Sequence, residues 1–338
     1  MTRQCRERAS EIVSLLTTSA LLLALASCSN PSISPAHTST PTPVLTRVEA
    51  IPADAIKQGP ETDPAPPILH STEWVEPVPL PGPINTAGSE DSPYITPDGT
   101  EFFFFFTPDS LIPAEQQLND GSTGIYYTSR SSPDSAWAEP VFLQLADPGE
   151  SALNGCPTLF EQTLWFCSAR IGGYRSIDMY TADFRLGTAE NWVNAGEELN
   201  QQVGIGELHF SADGETIYFH ADLPGGKGSF DIWVTHQIEG QWQPPQNVNA
   251  VNSAEMDGWP YLTPDGSALW FTRTWQGSPA VFRSLWNGED WGEPELIVSQ
   301  FAGEPTLDSQ GNLYFVHHFI HSGIILEADI YYAESISP

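Results

Sequence analysis

Residues 259–272, WPYLTPDGSALWFT, read as two short apolar strands joined by a tight polar turn, and the chain writes this hairpin five times. The other copies are SPYITPDGTEFFFF at 92–105, CPTLFEQTLWFCS at 156–168, LHFSADGETIYFH at 208–220 and EPTLDSQGNLYFV at 304–316. Three turns carry Asp-Gly after Pro or Ala (Pro97-Asp98-Gly99, Ala212-Asp213-Gly214, Pro264-Asp265-Gly266), and Ser309-Gln310-Gly311 keeps the glycine. Asp bonds its own backbone in such a turn, and Gly accepts the positive φ. The second copy departs most, with Glu161-Gln162-Thr163. The strand after each turn is apolar on both faces, as in Phe102–Phe106 or Leu269-Trp270-Phe271, which predicts burial between two neighbouring sheets.

A third strand follows each hairpin, and a tryptophan segment stands between successive units. Trp74, Trp137, Trp192, Trp242 and Trp291 are 63, 55, 50 and 49 residues apart. Self-similarity at a period near 50 marks a closed array of four-stranded blades. The phase of the repeat decides how the array closes. Trp74 precedes the first hairpin, and the last blade ends near Tyr332 with no tryptophan segment after it. Glu73–Leu80 is therefore expected to supply the outer strand of the last blade, which removes the open edges. The fold expected is all-β: a five-bladed β-propeller of four-stranded blades, closed by its N-terminal outer strand. The first blade carries an insertion, roughly Asp109–Gly124.

The remaining chain divides by composition. Residues 1–27 read as a secretory signal: Arg3, Arg6 and Arg8, then an apolar run too short to span a bilayer, which needs ~20 residues. The run ends Leu25-Ala26-Ser27-Cys28, which looks like a bacterial lipobox with Cys28 as the lipidated residue. Ser29 after it points to the outer membrane, facing periplasm or cell surface, in a host that has one. Residues 28–71 hold nine prolines, all between Ser29 and His70, and no periodicity. They read as a disordered tether. Residues 72–335 are the propeller and 336–338 a tail.

Cys5 leaves with the signal, so Cys156 and Cys167 remain, opposite each other on one hairpin in an oxidising compartment. A disulfide between them is expected. The net charge is −31 with only two lysines, Lys57 and Lys227. Such a surface repels nucleic acid and anionic headgroups, leaving the lipid as the contact with the membrane.

The Pro-Asp-Gly turns, the aromatic strand after each, and the stretch 223–234, LPGGKGSFDIWV, with a looser copy at 170–178, RIGGYRSID, resemble the TolB-type, WD-repeat-like propellers of bacterial envelope proteins. The resemblance covers about residues 72–335. It implies a propeller in the cell envelope and leaves the activity open, because such folds host binding and enzymatic roles alike.

Candidate site residues follow from the architecture. Residues just ahead of each inner strand converge at one mouth of the axis: Glu90, Asp91, Glu207, Asp257, Trp259 and Glu304. They could bind a sugar or a cation, with Ca2+ suited to such an acidic mouth; no other cofactor is implied. Their recurrence at repeat positions equally predicts a structural role. Five-bladed glycoside hydrolases of the arabinanase and xylosidase type place an Asp base, a second Asp and a Glu acid on the inner strands of the first three blades. Asp91 and Glu207 match that pattern in type and rough position, while blade 2 offers Asn154-Gly155-Cys156 and no carboxylate. His317 and His318 should face opposite sides of a strand, and His209 with His220 lie on adjacent strands. The glycines at 225–228 join two strands and form no phosphate loop. The expected function is a non-catalytic binding or scaffold propeller for a protein or glycan partner in the envelope. The alternative is a carbohydrate-active enzyme using Asp91 and Glu207. An open acidic channel would favour a ligand site there, a filled one a surface that binds at its rim.

Overall fold

The computed structural model describes residues 46–117 and 120–336. The signal sequence and Cys28 lie outside the described residues. Five antiparallel sheets form the five blades, each running outward from the axis. Blade 1 is Ser89–Ile95, Glu101–Thr107, Gly124–Ser129 and Val141–Phe142. Blade 2 is Ala152–Phe160, Thr163–Arg170, Asp178–Arg185 and Thr188–Asn194. Blade 3 is Leu208–Phe210, Thr216–Ala221 and Asp231–Ile238. Its outer strand is split into Gln241–Trp242 and Gln246–Asn247 around Pro244-Pro245, whose missing N–H groups an edge tolerates. Blade 4 is Asp257–Leu262, Ala268–Trp275, Ser278–Leu285 and Glu295–Ser299. Blade 5 is Ala302–Leu307, Leu313–His321 and Ile324–Ala333.

Val78–Pro79 closes blade 5, pairing with Tyr332 and Tyr331. The seam continues on both sides: Trp74 bridges Ser335, Leu80 N–H donates to the Ile330 carbonyl at 2.8 Å, and Ile336 N–H donates to Glu73 O at 2.8 Å. Ile336 therefore belongs to the seam, and residues 337–338 of the expected tail lie outside the described residues. Trp74 inserts between blades 4 and 5, edge-on to Trp270 at 5.4 Å, its indole N–H on the Gly311 carbonyl. Apolar clusters fill the spaces between blades. Phe103 packs with Leu164 and Phe166 between blades 1 and 2, while Phe102 and Phe104 face Tyr314 and Ile330 of blade 5. That two-sided burial is why the second strands lack polar alternation.

The Asp turns form as their chemistry requires. Thr96 and Thr263 hydroxyls donate to Asp98 and Asp265 Oδ1 at 2.6 and 2.7 Å, and the N–H two residues on donates to the same oxygen. Gly99 and Gly266 then take φ of 71° and 70°. These bonds hold the Asp265 carboxyl below the usual range.

Residues 28–45 of the expected tether lie outside the described residues, while 46–70 are ordered, not disordered as expected. Residues 46–70 form a strap across the face where the inner strands begin, called here the upper face. Thr46 caps the helical turn Arg47–Ala50, Arg47 is buried, and Ile68–Leu69 adds a fifth strand to blade 4 on Ser299 and Val298. Proline-rich composition hid this because the strap is fixed by a few charged contacts and not by a periodic apolar face.

Candidate functional site

The inner strands begin with a repeated distortion. In blades 1, 2, 4 and 5 the register slips by one residue, and the extra residue is left-handed: Ser92 (φ 47°), Cys156 (56°), Trp259 (51°) and Glu304 (55°), each followed by proline. Non-glycine residues rarely adopt this backbone, and four copies at one level identify a designed bulge. The bulge residue turns towards the axis. Ser92, Cys156, Glu207, Trp259 and Glu304 line one small axial cavity of about 50 Å3, space for a few waters and not for a sugar ring.

The residue two places on fills the axis and ties each blade to the next. Tyr94 OH donates to Leu159 O (2.7 Å), Thr158 OH to Leu208 O (3.2 Å) and Tyr261 OH to Leu307 O (2.7 Å). Leu262 N–H donates to His209 Nδ1 (3.3 Å), and Ile95 N–H to Thr306 Oγ1 (3.4 Å). The ring is complete, and the axis at this level is a belt of side chains. Burial lowers the His209 pKa to about 4, so its Nδ1 stays free to accept.

The six candidates separate. Glu207, Trp259 and Glu304 line the cavity; Glu90, Asp91 and Asp257 do not, because the bulge moves the inward-facing position one residue along the chain. Glu90 is fully buried beside Arg47 (3.4 Å) and accepts from Thr86 N–H and OH; burial pushes its pKa up to about 8. Asp257 bonds Arg273 Nε at 2.6 Å and Ser253. Asp91 is buried 3.8 Å from His318 Nε2 and accepts from Ser92 N–H. Glu207 belongs to the walls of two cavities and is half-buried, and loss of solvent around it, then the Asp91 charge, raises its pKa to about 8. The Trp259 indole N–H leans towards it without completing a hydrogen bond.

A larger cavity, about 320 Å3, opens between blades 2 and 3 on the upper face. Ile177, Met179, Ile205, Leu223 and Phe230 give it an apolar floor; Glu207, His220 and Arg175 supply polar atoms. Size and lining fit a small-ligand or side-chain pocket. The loops at its rim are those of the two glycine-rich stretches. Asp178 accepts from Tyr174 and Arg175 N–H, and Asp231 from Lys227 and Gly228 N–H. A Cβ on Gly173 or Gly226 would lie 2.5 or 2.0 Å from the capping carboxylate, which explains the glycine. Ile171 at the tip is 94% exposed and Tyr174 is exposed too. Arg175 caps the Glu198–Val203 turn by bonding Gly204 and Ile205 carbonyls. His220 accepts from Trp259 N–H, and burial, then the Arg175 charge, lowers its pKa to about 4. Cys156 and Cys167 are joined in a disulfide, Cα atoms 5.4 Å apart; both line the larger cavity, and Cys156 lines the axial one too.

Blades 5 and 1 present the opposite arrangement. Arg47 bonds Pro83 and Ile84 carbonyls and stacks on Phe104, Phe106 and Tyr126. Lys57 meets both Glu327 and Asp329. Asp63 meets His317 Nε2 at 2.7 Å, and His70 meets Ser299. Ser110 of the blade 1 insertion adds bonds to Ile325 and Leu326 carbonyls. His317 and His318 have different partners, as their opposite faces require.

One repeated element escaped the sequence reading. Asn85, Asn200 and Asn252 each clasp both backbone groups of one residue on a third strand: Ile330, Met179 and Ile232, at 2.7–3.0 Å. The signal is an aliphatic-Asn pair six residues ahead of Asp91, Gly206 and Gly258.

No family model matches the chain, and no curated protein matches it. Solved structures do. One is a candidate TolB from Agrobacterium tumefaciens, 16% identical, covering 75% of this chain and 85% of that one, TM-score 0.37. An endo-arabinase from Bacteroides thetaiotaomicron is 15% identical, covering 73% and 94%, TM-score 0.45. An alpha-L-arabinofuranosidase from Podospora anserina is 12% identical, covering 77% and 95%, TM-score 0.45. At such identities the likeness extends to the fold and no further.

Proposed function

We propose that the protein is an exported, lipid-anchored binding propeller without catalytic function, and that it engages an envelope protein or glycan through the open sector of its upper face above blades 2 and 3. The observation that carries this reading is the pairing of the cavity of about 320 Å3 between blades 2 and 3 with exposed Ile171 and Tyr174 on the loop beside it, against about 50 Å3 on the axis; a second cavity of about 320 Å3 is walled by the strap, the blade 1 insertion and blade 5. A filled axis leaves the rim as the binding surface. Exposed Ile171 and Tyr174 beside an apolar pocket supply the desolvation that a hot spot needs. The partner class is tested with Leu223→Trp, which fills the pocket, and Ile171→Asp on the rim. Pull-downs from solubilised envelopes and calorimetry against peptidoglycan and glycan fragments should find a ligand for the parent chain, with affinity reduced tenfold or more in both variants. Equal binding by parent and variants would move the site elsewhere on the molecule.

A second reading, a carbohydrate-active enzyme, is favoured by one observation: Glu207 has a pKa near 8 beside the Asp91 charge, the environment of a general acid. Its test is product release from a glycan panel across pH 4–9, with Glu207→Gln as control. Release that survives the control, or no release at all, removes it.

A further inference from the structure

The Cys156–Cys167 bond sits beside a third ligand. Cys156 Sγ lies 3.1 Å from Glu207 Oε1, and the ligand atoms of Cys156, Cys167 and Glu207 all lie within 4.8 Å of one another. Among the described residues, no other three such atoms come this close. Two thiolates ~2.3 Å and a carboxylate oxygen ~2.0–2.2 Å from a tetrahedral Zn2+ would be separated by under ~4 Å, so the cluster fits with side-chain rotation alone. The backbone is already set, with Cα atoms 5.4 Å apart and Cys156 fixed in its left-handed bulge ahead of Pro157. All three residues line the blade 2–3 pocket, so reductant and ion have a path from solvent.

We propose that the reduced chain binds one divalent ion of the Zn2+ class through Cys156, Cys167 and Glu207, with its fourth position open to the pocket. Disulfide and metal are then alternative cross-links at the same place, and the metal form joins blade 2 to blade 3 through Glu207. The exchange balances. A thiolate of a small dithiol attacks one sulfur and expels the other as thiolate, and the reductant's second thiolate resolves the mixed disulfide. The reductant leaves as its own disulfide, having given two electrons and two protons to the cysteines. Binding of the ion then releases both thiol protons to solvent.

The full chain, reduced with dithiol and freed of reductant under anaerobic conditions, is titrated with Co2+ and Zn2+ alone. Expected are one Co2+ per chain, a sulfur-to-cobalt charge-transfer band, and displacement by Zn2+. The oxidised chain should show neither band nor site. Cys156→Ser/Cys167→Ser should lose at least 100-fold in affinity. Glu207→Gln, which leaves the disulfide intact, should lose roughly tenfold while keeping the band. Circular dichroism runs alongside: a reduced chain that unfolds and refolds on Zn2+ supports the site, and one that unfolds and takes up no ion overturns it. Binding no tighter than in the oxidised chain, or unchanged by Glu207→Gln, also overturns it.

Discussion

Across blades 5 and 1 the upper face is covered by a strap with buried charges, whereas across blades 2 and 3 the same level of the fold ends in glycine-rich loops around a pocket. Both halves must satisfy polar groups at the start of the inner strands. Blades 2 and 4 do so from within, with Arg170 on Asn154 (3.0 Å) and Arg273 on Asp257. The second strand of blade 1 is a run of phenylalanines with no arginine, so the partner of Glu90 comes from Arg47, 43 residues away. Blade 5 likewise borrows Lys57 and Asp63. Blades 1 and 5 thus take their counter-charges from a distant segment that lies over them, while blades 2 and 4 take theirs from their own second strands.

The sharpest test of this contrast removes a borrowed cation. Arg47→Ala removes a buried guanidinium from the Pro83 and Ile84 carbonyls, from three aromatic rings and from Glu90, and a loss of about 3–5 kcal/mol in urea unfolding is expected. Adding Glu90→Gln should recover part of it. On the open side Arg175, itself exposed, bonds the carbonyls of Gly204 and Ile205, and Arg175→Ala is expected to cost about 1–2 kcal/mol. Equal losses would erase the distinction between the halves.

The asparagine clasps should behave alike in both halves. Asn85→Ala and Asn200→Ala each strand buried backbone groups, for about 1–3 kcal/mol. A loss confined to Asn85 would tie the clasp to the strap and not to the repeat.

A pH series separates the halves by titration. Glu90, Glu327 and Asp329 on the strapped side have pKa values raised by burial to about 8, 7 and 6, and Glu207 on the open side to about 8. Values above those of the unfolded chain mean that these four groups hold extra protons when folded, so their contribution to stability falls as pH rises through roughly 4–8. His209 and His220, lowered to about 4, act the other way below about pH 6.5, so the net fall is expected above it. The Tm should be a few degrees lower at pH 8.5 than at 6.5, with Glu327→Gln flattening the slope more than a surface control such as Glu289→Gln. A Tm that rises instead would show that the ion pairs outweigh burial. Smallest of all, Asp98→Ala and Asp265→Ala should each cost about 0.5–1.5 kcal/mol, since both turns carry the same bonds.

Much of the fold was legible in the chain. Blade number, the hairpin turns and the seam made by Glu73–Leu80 follow from hydrophobic periodicity and the phase of the tryptophans, both local signals. The candidate site was legible only in part: Glu207, Trp259 and Glu304 reach the axial cavity, while Glu90, Asp91 and Asp257 turn elsewhere. A β-bulge shifts every later side chain to the other face, and no residue type in Ser92, Cys156, Trp259 or Glu304 announces it beyond the proline that follows. The strap was misread because its hold consists of three charged side chains whose partners are up to 272 residues away.

By itself, then, the sequence determined the five blades, their strand faces and their closure, because these depend on patterns within about 50 residues. Only the tertiary structure decided that the axis is filled, that Arg47 and Lys57 reach carboxylates of blades 1 and 5, and that one cavity of about 320 Å3 opens between blades 2 and 3 while another of that volume lies among the strap, the blade 1 insertion and blade 5. Those outcomes depend on which side chains meet across blade boundaries. Burial and charge pairing there are set by three-dimensional neighbours, which periodicity does not encode.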